Sequence, residues 1–150
     1  MQIADAGEQL EVQWRTRSYG GEYASDNVGV AWIETTSGAF VRTLTIWAEV
    51  RRKHLVRWQA SAQGDVIDAV TSATRGGHRT SEAVWDLRDA LGQAAPPGGY
   101  RLMLEFTEAD SNKGDPPGPR LELPFSLGEG PSLPVAPEHP QYRDLLVVAP

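Results

Sequence analysis

Residues 100–106, YRLMLEF, carry the strictest alternation in the chain. Tyr100, Leu102, Leu104 and Phe106 are apolar, with Arg101, Met103 and Glu105 between them. A period of two is the repeat of a half-buried strand, whereas a helix buries every third or fourth residue. The stretch ADSNKGDPPGP, residues 109–119, follows. Then Leu121, Leu123 and Phe125 alternate with Arg120, Glu122 and Pro124. Glycine and proline at that density mark a turn. The two runs therefore read as a hairpin with a long loop.

The same pattern recurs upstream. Leu10, Val12 and Trp14 alternate with Glu11, Gln13 and Arg15. Val28, Val30 and Trp32 alternate with Gly29, Ala31 and Ile33, as in a more deeply buried strand. Ser37-Gly38 marks a turn, residues 40–47 read as a strand, and residues 54–60 read as its partner. Residues 65–70 are a short candidate strand, and Val84-Trp85 begins another short element. Only residues 81–91 have a helical look. No internal repeat is present. Many short strands with closely spaced turns predict an all-β, antiparallel sandwich over residues 1–127. The proline-rich tail, residues 128–150, is apolar at residues 145–148 and is expected to dock on a sheet edge. Trp14, Trp32, Trp47, Trp58 and Trp85 lie on or beside these runs and read as core.

Composition narrows the function. A chain of 150 residues fits one domain. A net charge of −6 without a strong basic patch argues against nucleic acid. The absence of cysteine excludes disulfides, thiolate zinc sites and thiol nucleophiles. No apolar run approaches the ~20 residues needed to span a bilayer, so direct membrane insertion is not expected. The start, MQIADAGEQL, lacks the basic and apolar regions of an export signal. Taken alone, it fits either a cytosolic protein or one whose signal has been removed.

Motifs for catalysis are missing: there is no nucleophile elbow, no P-loop and no dinucleotide fingerprint. His54, His78 and His139 have no metal-pair spacing, and each reads as solvated. Residues 110–115, DSNKGD, match half of a calcium loop, but Leu121 stands where the bidentate glutamate belongs, so they read as a solvated hairpin loop. Glu105 and Glu122 are expected on exposed strand faces. The basic cluster RRKH, residues 51–54, reads as a solvated turn.

Two stretches carry a resemblance. VWDLRDALGQAAPPGGYRLMLEF, residues 84–106, resembles the end of the Ig-like fold in the flagellar hook-cap protein family. Trp85, Asp86, Asp89, Gly92, Gly99 and Tyr100 match its pattern, and Leu87 replaces a glycine. With VGVAWIETTSGAFVRTLTIW and DAVTSATR added, residues 28–127 resemble a bacterial family of predicted periplasmic proteins without an established activity. The resemblance implies an Ig-like sandwich and a periplasmic location once an export signal is gone. Members of that family are often encoded near PepSY-type membrane reductases and flavin transferases.

Residues 68–74, DAVTSAT, further resemble the site at which a magnesium-dependent flavin transferase links FMN to a threonine through its phosphate. Carried over, Thr74 is the attachment residue and Asp68 the upstream recognition residue. Ser72 and Ala73 are small spacers, with Ser72 standing where glycine is commoner. Arg75, Arg79 and His78 are expected to pair with the attached phosphate. Gly76-Gly77 would keep the segment exposed and pliable. The chain would then be an acceptor rather than an enzyme, with redox chemistry supplied by the flavin. Its partners would be the flavin transferase and a membrane-bound reductase. The segment also reads simply as a strand end and a glycine-rich turn.

Two other readings compete. One is a non-enzymatic binding or scaffolding module, which an exposed apolar patch or an unpaired sheet edge would favour. The other is a periplasmic metal-handling protein using His54 and His78 with a carboxylate.

Overall fold

The computed structural model describes residues 9–128 and 138–148. Eight strands and one short helix form among them. In chain order these are β1 (Leu10–Thr16), β2 (Val28–Thr35), β3 (Phe40–Trp47), α1 (Val56–Ala62), β4 (Val70–Ser72), β5 (Thr80–Trp85), β6 (Gly98–Thr107), β7 (Arg120–Leu127) and β8 (Tyr142–Val148). A three-stranded sheet has the order β5-β1-β8, and a five-stranded sheet has the order β4-β3-β2-β6-β7. The all-β sandwich expected from the alternation is the fold observed.

Each expected strand pattern has a physical counterpart. In β1 the inward residues Leu10, Val12 and Trp14 are buried, and Glu11 and Arg15 face out. The β6–β7 hairpin pairs Tyr100 with Phe125, Leu102 with Leu123 and Leu104 with Leu121. These side chains meet β1, Ala83 and Trp85 of β5, and Tyr142 of β8 in the main core between the sheets. All five tryptophans are fully buried. Each aromatic of that size removes roughly 150–250 Å² from water, about 4–6 kcal/mol of gross transfer free energy.

A second cluster lies on the opposite face of the larger sheet. Val28, Val30 and Trp32 of β2, Ile46 of β3 and Met103 of β6 pack there under Leu55, Trp58 and Ala62. Residues 54–60 are therefore not a strand. A 3-10 turn (Glu49–His54) leads into α1, and Leu55, Trp58 and Ala62 present one apolar stripe at helical spacing. This segment is the crossover that lets β4 join β3 in parallel, a connection that a tight hairpin cannot make. The larger sheet is thus antiparallel except at β4.

Covering this second face overturns another expectation. Glu105 does point away from Leu104, but into the layer beneath α1, where it is 1% exposed. Its carboxylate accepts from the N–H of Trp58 at 2.9 Å and of Arg57 at 3.3 Å, closing the first turn of α1. Burial pushes its carboxyl pKa up against those bonds. Residues 81–91 are not helical either. β5 runs from Thr80 to Trp85 with Ser81, Ala83 and Trp85 inward, and its two small core residues gave the period little weight. Residues 138–148 of the proline-rich tail include β8, which pairs antiparallel with β1 at the rim of the smaller sheet. Residues 128–137, apart from Gly128, lie outside the described residues.

Candidate functional site

The loop from Ala73 to Arg79 stands on Trp47. That indole crosses over Gly29, where even a methyl group would land on the ring. Trp47 Nε1 donates to Asn27 Oδ1 at 2.9 Å. Asn27 and Arg75 exchange both backbone bonds, at 2.9 and 3.0 Å. Asn27 Nδ2 also donates to the carbonyl of Gly77 at 3.0 Å. Above the ring, the Arg75 guanidinium lies 4.0 Å from the Trp47 ring centroid. Its Nη1 donates to Ser81 Oγ at 2.6 Å. Burial, aided by Arg79, brings the Arg75 pKa down to about 10. The loop base is therefore fixed from below.

Thr74 sits at the exposed crest of this base. Its hydroxyl makes one long bond, 3.4 Å, to the carbonyl of Ala48. Two hollows meet at it. One, of about 150 Å³, lies toward the 3-10 turn and is lined by Tyr23, Asp26, Arg51, Thr74 and Glu108 among others. The other, of about 490 Å³, runs along residues 72–79, within the size range of small-molecule pockets. Gly77 has open space where a side chain would be.

The other motif residues divide. Ser72 ends β4 with an exposed side chain, its carbonyl accepting from the N–H of Ala48 at 3.0 Å. Asp68 lies before β4, exposed and left-handed at φ 59°. Its carbonyl accepts from Arg42 Nη2 at 3.1 Å, and its carboxylate has no hydrogen bond among the described residues. Asp68 and Thr74 thus flank β4 rather than converge. His78 is committed elsewhere: Nδ1 lies 2.7 Å from Thr16 Oγ1 and Nε2 lies 2.7 Å from Glu108 Oε2. Arg75 is committed to Trp47 and Ser81. Of the expected phosphate partners, Arg79 alone is exposed without a side-chain partner among the described residues.

Arg51 joins the hollow from the cluster RRKH, which is therefore not simply solvated. It stacks 4.9 Å from the Tyr23 ring centroid, and Nη2 donates to Asp110 Oδ1 at 2.8 Å. Tyr23 donates its hydroxyl to Asp110 Oδ2 at 2.7 Å. The Tyr23 and Arg51 bonds hold the Asp110 carboxyl below its ordinary range. No spacing rule would have joined Arg51 to Thr74, because the pairing is made by the α1 crossover.

Glu108 anchors the far wall. Burial pushes its carboxyl up, but His78, Ser18 and the N–H groups of Gly21 and Tyr19 outweigh that and hold it low. The histidines do not converge as a metal pair. His54 is fully buried rather than solvated. Its Nδ1 accepts from the N–H of Asn112 at 3.1 Å, and Nε2 lies 3.2 Å from Asp110 Oδ1 without hydrogen-bond alignment. Burial and Arg51 lower its pKa, favouring the neutral ring. The carboxylates that do converge, within 4.8 Å, are those of Glu22, Asp110 and Asp115. Asp110 there is already occupied by Tyr23 and Arg51.

No curated protein and no solved structure matches the chain. The family model described as "Predicted periplasmic protein (DUF2271)" matches residues 9–115, and the chain belongs to that family of predicted periplasmic proteins.

Proposed function

We propose that this protein is an electron-transfer accessory of the bacterial envelope that carries FMN covalently on Thr74. The observation that carries the reading is the state of Thr74: an exposed hydroxyl with one long hydrogen bond, on a rigid base, between two hollows. A phosphoester needs such a hydroxyl. A transferase needs the small, open backbone that Ser72, Ala73 and Gly77 provide. Arg79 is the cation that would meet the phosphate, since Arg75 and His78 are committed elsewhere and Arg51 is held by Asp110. The two-sheet sandwich is in keeping with an Ig-like relationship to the hook-cap domain.

The attachment balances simply. Thr74 Oγ1 forms a bond to the FMN phosphorus of a flavin nucleotide donor. The bond from that phosphorus to the donor's leaving group breaks, and the hydroxyl proton passes to the transferase. When bound, the flavin supplies one- and two-electron chemistry. This chain's own residues hold and expose it. A membrane-bound reductase would be the electron source.

The test is an intact mass and a visible spectrum of the protein co-expressed with a flavin transferase and an export signal. The expected mass gain is that of FMN less one water, with a yellow colour that survives denaturation and is absent in Thr74→Ala. A colourless, unmodified chain would overturn the reading.

One observation favours a second reading, a binding module. β4 is a rim strand, all three of its residues are exposed, and Val70 is 69% exposed beside exposed Ile67. Such an edge can accept an added strand. Hollows beside Thr74 are not required by a module of that kind, and their presence is why the flavin reading stands first.

A further inference from the structure

The outer face of the smaller sheet changes character along its length. Around Glu11 the rims are apolar: Val84 and Val148, both exposed, flank it on β5 and β8. At the other end, Arg15 of β1 stands directly opposite Arg143 of β8. Arg17 follows two residues on, its backbone N–H donating to the carbonyl of Gln141 at 2.9 Å. All three arginines are exposed. In a chain of net charge −6, this is a local inversion of sign.

Like charges directly opposite one another destabilise a sheet. Here an irregularity creates the opposition. The ladder steps from Gln13 opposite Leu146 to Arg15 opposite Arg143, with one extra residue on β8. Asp144 sits in that step in the left-handed region, at φ 53°. A bulge of this kind re-aims a side chain, and this one brings two exposed arginines into register across the strands. Among the described residues, no carboxylate lies within 4.0 Å of the guanidinium of Arg15, Arg17 or Arg143.

The three arginines line an open groove of about 630 Å³, whose lining also includes Ser18, His78 and one acidic residue, Asp144. Cross-strand neighbours hold their Cβ atoms about 4.5–5.5 Å apart, and a two-residue step along a strand is about 6.8 Å. That spacing suits a ligand with two adjacent anionic groups. Planar guanidinium forks suit phosphoryl oxygens in particular.

We propose that Arg15, Arg17 and Arg143 form a binding site for a small oligo-anion of the diphosphate class. The site does not include Thr74, although His78 lines both this groove and the hollow along residues 72–79, so the two readings are tested separately.

The test is a titration of inorganic pyrophosphate into the protein at low ionic strength, followed by arginine Nε–Hε NMR signals. Saturable shifts are expected at the three arginines. The double variant Arg15→Gln/Arg143→Gln is expected to raise the Kd at least tenfold, while Thr74→Ala leaves it unchanged. The ligand-free double variant is expected to melt no lower than the parent, because it relieves a repulsion. Should it fail to fold, Arg17→Gln, outside the ladder, is expected to raise the Kd severalfold. No saturable shift, or an unchanged Kd in the folded variants, would overturn the site.

Discussion

Two loops of this molecule look alike in sequence and differ in what their side chains do. Residues 86–97 and residues 73–79 are both rich in small and turn-forming residues. The first uses its polar groups mainly on itself, with two ties to β3: Arg42 Nη1 donates to Asp86 Oδ1 at 2.6 Å, and the N–H of Ala90 to the carbonyl of Val41 at 3.1 Å. Asp89 Oδ1 accepts from the N–H of Leu91 and of Gln93, both at 2.9 Å. Asp86 Oδ1 accepts from the N–H of Arg88, and Trp85 Nε1 donates to the Arg88 carbonyl. Tyr100 closes the loop with its hydroxyl on the carbonyl of Pro96. Such a loop is a turn satisfied by itself and by the adjacent β3. The second is held at its base by Trp47 and Asn27, and its crest residue Thr74 keeps a nearly free hydroxyl. Turn chemistry and the contacts to β3 account for the polar groups described in the first loop and leave the Thr74 hydroxyl of the second with one long bond. That remainder is where a function is to be sought.

The comparison can be broken or sharpened by substitution. The largest effect is expected from Trp47→Ala, which removes a buried indole and should cost about 3–5 kcal/mol. Amide exchange should quicken in residues 73–79 and stay slow in residues 86–97. Equal quickening in both loops would break the contrast. Next is Glu108→Gln, expected to cost about 2–3 kcal/mol at neutral pH through lost charge-assisted bonds. Because the folded-state pKa of Glu108 is depressed, its contribution is present above the ordinary carboxylate pKa of 4.5 and is lost as pH falls below it. Chemical denaturation from about pH 7 down to about pH 3 should therefore show the variant and the parent converging in acid.

Asp89→Ala should cost about 1–2 kcal/mol, comparable to losing a cap, and should loosen residues 86–97 alone. A melting curve with loop-resolved exchange measures both. The smallest stability effect, within about 0.5 kcal/mol, is expected for Thr74→Ala, as for an exposed substitution away from packing. The same variant should lose all covalent flavin. A large destabilisation would mean that Thr74 serves the fold after all.

Much of this was legible in the sequence, and the failures have physical causes. β1, β2 and the β6–β7 hairpin follow from alternation, and β3 from its β-rich composition after a turn. β5 was obscured because Ser81 and Ala83 face the core with little apolar weight. The segment after β3 was misjudged although Leu55, Trp58 and Ala62 have helical spacing. That error carried Glu105 with it, since alternation tells which side a residue faces but not what covers that side. Leu87 is informative in another way. It adopts φ 64°, a left-handed position that a residue other than glycine fills at a cost of roughly 1–2 kcal/mol. At the candidate site, the exposed Thr74 segment was readable. The commitments of Arg75 and His78 were not, because Trp47, Thr16 and Glu108 are distant along the chain.

The pairing of β1 with β8 bears on how the molecule is made. Glu11 lies beside Val148, so the smaller sheet joins residues from near both extremes of the described chain. Contacts between such distant partners form late, after the intervening loop has been closed. A chain emerging from a ribosome, or threading through a membrane pore, can fold its β6–β7 hairpin early. It cannot complete the smaller sheet until β8 has followed. For a member of a family of predicted periplasmic proteins, the smaller sheet is thus the part of the described fold that closes last.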